Sequence, residues 1–201
     1  MKKLNAILII ALSFGLLQTC SSNKGSKAEA DSANAAKDTS KKPLKADSTN
    51  AATSHIEVGK DDAKFAVDAI AGGITEVELG KLAQQKASNS KVKDFGAMMV
   101  TDHNKANQEL MTLGQSLRIA LPVAIDKDGQ KKEDDLSKKS GADFDKAYVK
   151  AMVDDHKKTI KLFTDEEKNS KSVDLKAFAT KTLPVLNKHL AAIQQIQDSM
   201  K

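Results

Sequence analysis

The stretch FGAMMVTDH, Phe95 to His103, returns 53 residues later as YVKAMVDDH, Tyr148 to His156. Phe95, Met99, Val100, Asp102 and His103 are answered by Tyr148, Met152, Val153, Asp155 and His156. Positions four apart share one stripe of an α-helix, so each copy places an aromatic ring, a methionine and a histidine on the same face. The repeat therefore demands two helices that each turn an imidazole toward an apolar interior.

The spacing of three and four continues around both copies. Val92, Phe95, Met99, His103, Ala106, Leu110, Leu113 and Leu117 form one stripe, in a helix expected from about Lys91 to Arg118. Phe144, Tyr148, Met152, His156, Thr159, Ile160 and Phe163 form another, expected from Ala142 or Asp143 to Lys168. A third runs through Leu175, Ala179, Thr182, Leu186, His189, Ile193, Ile196 and Met200, with Ser172 as its cap and Pro184 expected to kink it. Upstream, a helix capped by Asp61 or Asp62 and running to about Ala87 carries Phe65, Val67, Ile70, Ile74, Val77 and Leu79. Gly73 and Gly80 lie on its small-residue face. A mid-helix glycine costs about 1 kcal/mol relative to alanine, so the two glycines call for a closely approaching neighbour. Glu76 lies beside that face and Glu78 points away from it.

Breaks at 88–90 and 169–172 are short enough to make the helices on either side antiparallel neighbours. The connection 119–141 is long enough to run the length of a bundle, with one helical turn expected around Leu136; the spacing leaves the topology open. The expected fold is all-α, a four-helix bundle over 59–201.

Ahead of it, Lys2 and Lys3 precede an apolar run, Leu4 to Leu17, that is shorter than the roughly 20 residues a membrane-spanning helix needs. With Cys20 directly behind, residues 1–19 read as a lipoprotein signal peptide and Cys20 as the lipidated residue, anchoring the chain to a membrane. The span 20–58 has almost no large apolar side chain and reads as a disordered tether, with transient helix at most around Ala28 to Ala36. The expected localisation is the cell envelope, as an outer membrane lipoprotein, with the face of the membrane left open.

The formal net charge is +5, almost all of it from lysine; Trp is absent and there is one Tyr. Without arginine forks or stacking aromatics, this basicity does not describe a nucleic-acid binder. With Cys20 lipidated no thiol remains, so any metal must be held by His, Asp or Glu.

Three histidines on three inward stripes cannot be buried among hydrocarbon without partners, so they imply a polar layer. Glu76 is the natural contribution of the remaining helix. The set Glu76, His103, His156 and His189 has the ligand types of an iron, manganese or zinc site, with Glu78, Asp102 and Asp155 as outer partners. Asp102 and Asp155 are rotated by about 100° from their own histidines, so each could orient a histidine only on a facing helix, and the plainer expectation for both is a solvated or capping carboxylate. The Glu-x-x-His pairs of di-iron bundles are absent, because Val100, Val153 and Leu186 occupy the positions three before the histidines. The same layer can also serve only to fix helix register, or each histidine can sit at the edge of its stripe and reach water. No nucleophile elbow, phosphate loop or zinc-protease motif is present.

Gly72-Gly73 with Glu76 to Gly80, Phe95 with Met99 to His103 and Ala106-Asn107, Met152 to His156, and Leu183 to Leu186 with His189-Leu190 resemble the bacterial envelope family called domain of unknown function 4142. The resemblance covers about Asp61 to Met200. It implies a ferritin-like four-helix domain, often on secreted or lipid-anchored proteins, with no established activity, and it maps the family's His and Glu positions onto Glu76, Glu78, His103, His156 and His189. The first functional expectation is a lipid-anchored envelope protein acting by binding or structural interaction, without catalysis, toward an envelope protein or as a homo-oligomer. The second is a metal-dependent redox or metal-storage protein.

Overall fold

The computed structural model describes residues 25–38 and 58–201, and the protein is all-α over them. The helices are α1 (Lys27–Asp38), α2 (Lys60–Lys86), α3 (Ser90–Ser116), α4 (Lys127–Ser137), α5 (Gly141–Asn169) and α6 (Val173–Asp198). The signal peptide and Cys20 expected from the sequence lie outside the described residues. No helix among those described is long and apolar enough to cross a membrane.

Four long helices share one interior. The α2–α3 and α5–α6 pairs are each joined by a short turn. The start of α2 meets the end of α5 and the end of α2 meets its start, so these two run antiparallel. The connection from α3 to α5 therefore spans the whole length of the core, which answers the topological question the spacing left open.

Two buried aspartates fasten the turns. Asp62 does not cap its own helix as expected, because α2 starts from Gly59 without a side-chain cap. It reaches instead to the α5–α6 turn, accepting from Ser170 Oγ at 3.0 Å and from the Ser172 amide at 3.1 Å. At the opposite end Asp145 of α5 accepts from the amides of Ser88 (3.1 Å) and Asn89 (2.9 Å) and from the Ser88 hydroxyl. Each carboxylate satisfies donors that a helix terminus leaves open. Ser172 caps α6 as expected, its hydroxyl accepting from the Leu175 amide, and α6 runs on through Pro184.

The glycines of α2 account for its closeness to α3. A methyl on Gly80 would stand 2.7 Å from the Gly96 carbonyl oxygen, and one on Gly96 would stand equally close to that of Gly80. Gly73 is covered by the Asn107 side chain. The backbones thus approach where any side chain would hold them apart.

Two segments correct the expectations. Within the span read as a disordered tether, α1 is a helix that packs on α2 and buries Ala30. Its docking is largely polar, which apolar patterning does not register: Lys27 pairs with Asp68 at 2.7 Å, and the Asn34 amide both donates to and accepts from the Ala120 backbone at 2.9 Å. In the long connection, the single turn expected near Leu136 is the eleven-residue helix α4. Asp126 caps it by accepting from the Gly129 amide at 2.8 Å, and Leu136 enters the core.

The interior has two apolar halves. One contains Leu79, Phe95, Met99, Phe144, Met152 and Ile193; the other contains Phe65, Ile70, Leu110, Phe163, Phe178 and Leu186. On every long helix the residue between the halves is polar: Glu76, His103, His156 or His189.

Asp145→Ala strands the part-buried amides of Ser88 and Asn89 and should lower stability by about 2 kcal/mol in urea unfolding; a loss under ~0.5 kcal/mol would show that Asp145 is not a clamp. Burial pushes the carboxyl of Glu166 up to about 7; the Ser170 hydroxyl opposes this and the nearby Asp62 carboxylate adds to it. The folded protein therefore keeps a proton that the unfolded chain releases from about 4.5 upward. The stabilisation is complete below that pH and is lost as pH rises through 7. Glu166→Gln should thus gain on wild type across pH 4.5 to 7, by on the order of 2 kcal/mol, and level off above; thermal unfolding at several pH values would reveal a flat difference if this is incorrect.

Candidate metal centre

The polar layer is assembled by the same helical spacing that makes the core. His103, His156 and His189 each replace one apolar residue in a stripe, so the packing of α3, α5 and α6 must bring the three rings together. Their centroids are 5.5 to 5.8 Å apart in all three pairs. One nitrogen from each ring lies within 4.8 Å of one from each of the others. Around a tetrahedral ion at ~2.1 Å, such nitrogens would stand roughly 3.4 Å apart, so the rings need to draw in by about an ångström.

Each ring has one nitrogen turned toward the protein. His156 Nδ1 is 2.9 Å from the Met152 carbonyl oxygen, to which it can only donate. His189 Nε2 is 2.9 Å from Asp102 Oδ2. His103 Nδ1 lies 3.3 Å from Glu76 Oε2, and His156 Nδ1 also lies 3.4 Å from Glu76 Oε1. The other three nitrogens, His103 Nε2, His156 Nε2 and His189 Nδ1, are buried and have no hydrogen-bond partner, and neither does either oxygen of Glu76. Buried polar atoms are rarely left in this state, and here they occupy one small volume.

Burial sets the protonation. It holds His103 down to about 4, against a weaker upward pull from Asp102, and it also lowers His156 and His189. The rings are consequently neutral at physiological pH, the form in which imidazole has a lone pair to give. Burial raises Glu76 to about 7, with His156 opposing. Phe95 walls the site on one side, its ring edge-on to His156 at 6.1 Å and to His189 at 6.4 Å.

Among the expected site residues, the structure brings nitrogens of the three histidines together and sets Glu76 against the Nδ1 atoms of His103 and His156. Asp102 orients a histidine of a facing helix, as its angular offset allowed. Asp155 does not: it pairs with Lys132 of α4 at 2.6 Å. Glu78 is outside the layer and pairs with Lys81 at 2.9 Å. Beside the centre, a cavity of about 310 Å³ between α2, α4 and α5 is lined by Glu76, Asp155, Lys132, Thr75 and Gly72 among others. Lys132 was not anticipated, because nothing in a lysine-rich connection marks one lysine over its neighbours.

The fold and this layer define a class: an all-helical protein whose core is divided by a buried set of three imidazoles and a glutamate. The chain belongs to the family described as Domain of unknown function (DUF4142), whose sequence profile matches residues 45–196. No curated protein and no solved structure matches the chain.

With metal removed by chelation, His103→Leu should match or exceed wild-type thermal stability, because it replaces an incompletely paired buried ring with hydrocarbon. A loss above about 2 kcal/mol would mean that the imidazole is held for structural pairing.

Proposed function

We propose that this is a metal-binding protein of the bacterial envelope, in which His103, His156 and His189 hold a single iron, manganese or zinc ion inside a ferritin-like four-helix bundle, and that Cys20 carries a lipid anchor to the outer membrane. The observation that carries the reading is the convergence of three neutral imidazoles, each buried with one nitrogen that has no hydrogen-bond partner. A layer that served only to fix register would be expected to pair those atoms with one another, since each unsatisfied group costs about 1–3 kcal/mol. The carboxylates behind the rings supply what such a centre needs. Asp102 holds the tautomer of His189 and the Met152 carbonyl that of His156, and Asp102 and Glu76 would offset the charge of a divalent ion.

Three nitrogen ligands leave room for a further ligand, as in open sites that exchange water or a small molecule. The bound ion would supply Lewis acidity or, for iron and manganese, electron exchange. The chain's own residues fix the rings, exclude bulk water through the apolar halves above and below, and keep a carboxylate of raised proton affinity at Glu76. Storage in bulk does not suit one ion per chain, so within this reading the centre serves binding or redox exchange.

The soluble domain from Gly59 onward, purified and reconstituted with iron, manganese or zinc, should hold about one equivalent of metal by elemental analysis. His156→Ala should hold less than about a tenth of that. Retention of full metal by His156→Ala, or no stoichiometric metal in wild type under any of the three ions, would sink the reading. The anchor is tested separately by labelled-palmitate incorporation, which Cys20→Ala should abolish.

A further inference from the structure

Of the three glycines inside α2, Gly73 and Gly80 are required by contacts with α3, whereas a methyl built on Gly72 meets nothing within 4 Å. A glycine in mid-helix that no neighbour demands costs about 1 kcal/mol for nothing in packing. Gly72 does line the cavity beside the centre, one turn before Glu76. A side chain larger than a methyl at this position would extend into it.

The cavity leads inward to Glu76, which is only 2% exposed, faces the Nδ1 atoms of two histidines and has both oxygens unpartnered. Nearer the outside stands Asp155, with Oδ1 held by the Lys132 ammonium and Oδ2 buried and unpartnered. The charge of the lining selects the kind of visitor. Lys27 is neutralised by Asp68 and Lys132 by Asp155, which leaves Asp126 and Asp128, joined by Glu76 when it is ionised, against Lys158. The excess is negative, so a cation is favoured over an anion. The volume of about 310 Å³ exceeds the roughly 180 Å³ that six waters of ~30 Å³ occupy around a hydrated ion.

We propose that this cavity is the port through which a hydrated divalent cation reaches the histidine centre, passing from Asp155 to Glu76, and that Lys132 is the resident charge it displaces. Helix α4 forms the outer wall. It is held there by Gly129, where any methyl would collide with Thr75 Oγ1 and lie 2.7 Å from Ile125 Cγ1. Thr75 cannot turn away cheaply, because its hydroxyl donates to the Ala71 carbonyl at 2.9 Å. The port rests on the metal reading of the centre, and its test separates the two.

Cobalt(II) is mixed with the metal-free protein, and the growth of its visible absorption gives the loading rate, while equilibrium titration gives the affinity. Gly72→Leu fills the cavity without a backbone clash. It should slow loading at least about tenfold while affinity stays within about threefold, since a port alters entry and exit together. Lys132→Gln should speed loading about threefold at low salt, with the difference fading at high salt. Gly72→Ala should load like wild type. Wild-type loading rates in both Gly72→Leu and Lys132→Gln, with cobalt still bound, would overturn the port alone. A fall in affinity as large as the fall in rate would make the cavity part of the binding site, and would overturn it too. If wild type takes up no cobalt, the centre and the port fall together. If Gly72→Leu fails to fold, the Lys132→Gln rate and its salt dependence decide.

Discussion

The arrangement depends on how each buried imidazole divides its two nitrogens. One nitrogen of His156 is committed to the carbonyl a turn earlier on its own helix, and one of His189 to a carboxylate on a neighbouring helix. The Nδ1 of His103 faces Glu76. The remaining nitrogens, His103 Nε2, His156 Nε2 and His189 Nδ1, are buried without a partner, in three rings that each bring a nitrogen within 4.8 Å of the others. Neutral imidazoles can then act only as acceptors there, and three acceptors facing one another attract a cation or a donor and repel a third kind of occupant. The rest of the fold can be understood as holding three rings in that unfavourable juxtaposition.

Two features supply the rigidity. The aspartate clamps tie each helical turn to a helix of the other pair, so that α2 and α5 cannot slide past one another without breaking charge-assisted hydrogen bonds at both ends. Sliding is what would separate Glu76 from His156. The reciprocal contact of Gly80 and Gly96 brings α2 against α3 backbone to backbone, and fixes Glu76 at a short distance from His103. The apolar halves on either side exclude water, which raises the cost of any unpaired nitrogen and so the benefit of pairing it.

Much of this was legible in the sequence, because helical periodicity is a strong signal and the stripes were long. The four inward polar positions, the close approach implied by Gly73 and Gly80 and the Ser172 cap all follow from spacing and residue type, whereas spacing allowed Asp102 to act on a facing helix without selecting that role over a solvated carboxylate. What spacing could not convey was contact made by polar side chains across the fold. Asp62 near a helix start reads as a cap, yet it serves a turn more than a hundred residues away. Helix α1 docks through an asparagine and a lysine, with little apolar surface to betray it. Helix α4 has the single buried leucine Leu136 among lysines and aspartates, so its wall of the cavity, and Lys132 with it, was invisible. Spacing put Glu76 in the layer without its exact station, because periodicity fixes which face a carboxylate occupies and leaves open which nitrogen of a ring it meets.

The most direct test of the central claim is a crystal structure of the protein grown with iron, manganese or zinc, with anomalous scattering measured on both sides of the metal's absorption edge. The account predicts one anomalous peak per chain, bounded by His103 Nε2, His156 Nε2 and His189 Nδ1, with Glu76 and Asp102 behind the rings. A fully loaded protein whose peak lies elsewhere, or whose three rings remain apart around an ordered water, would contradict it.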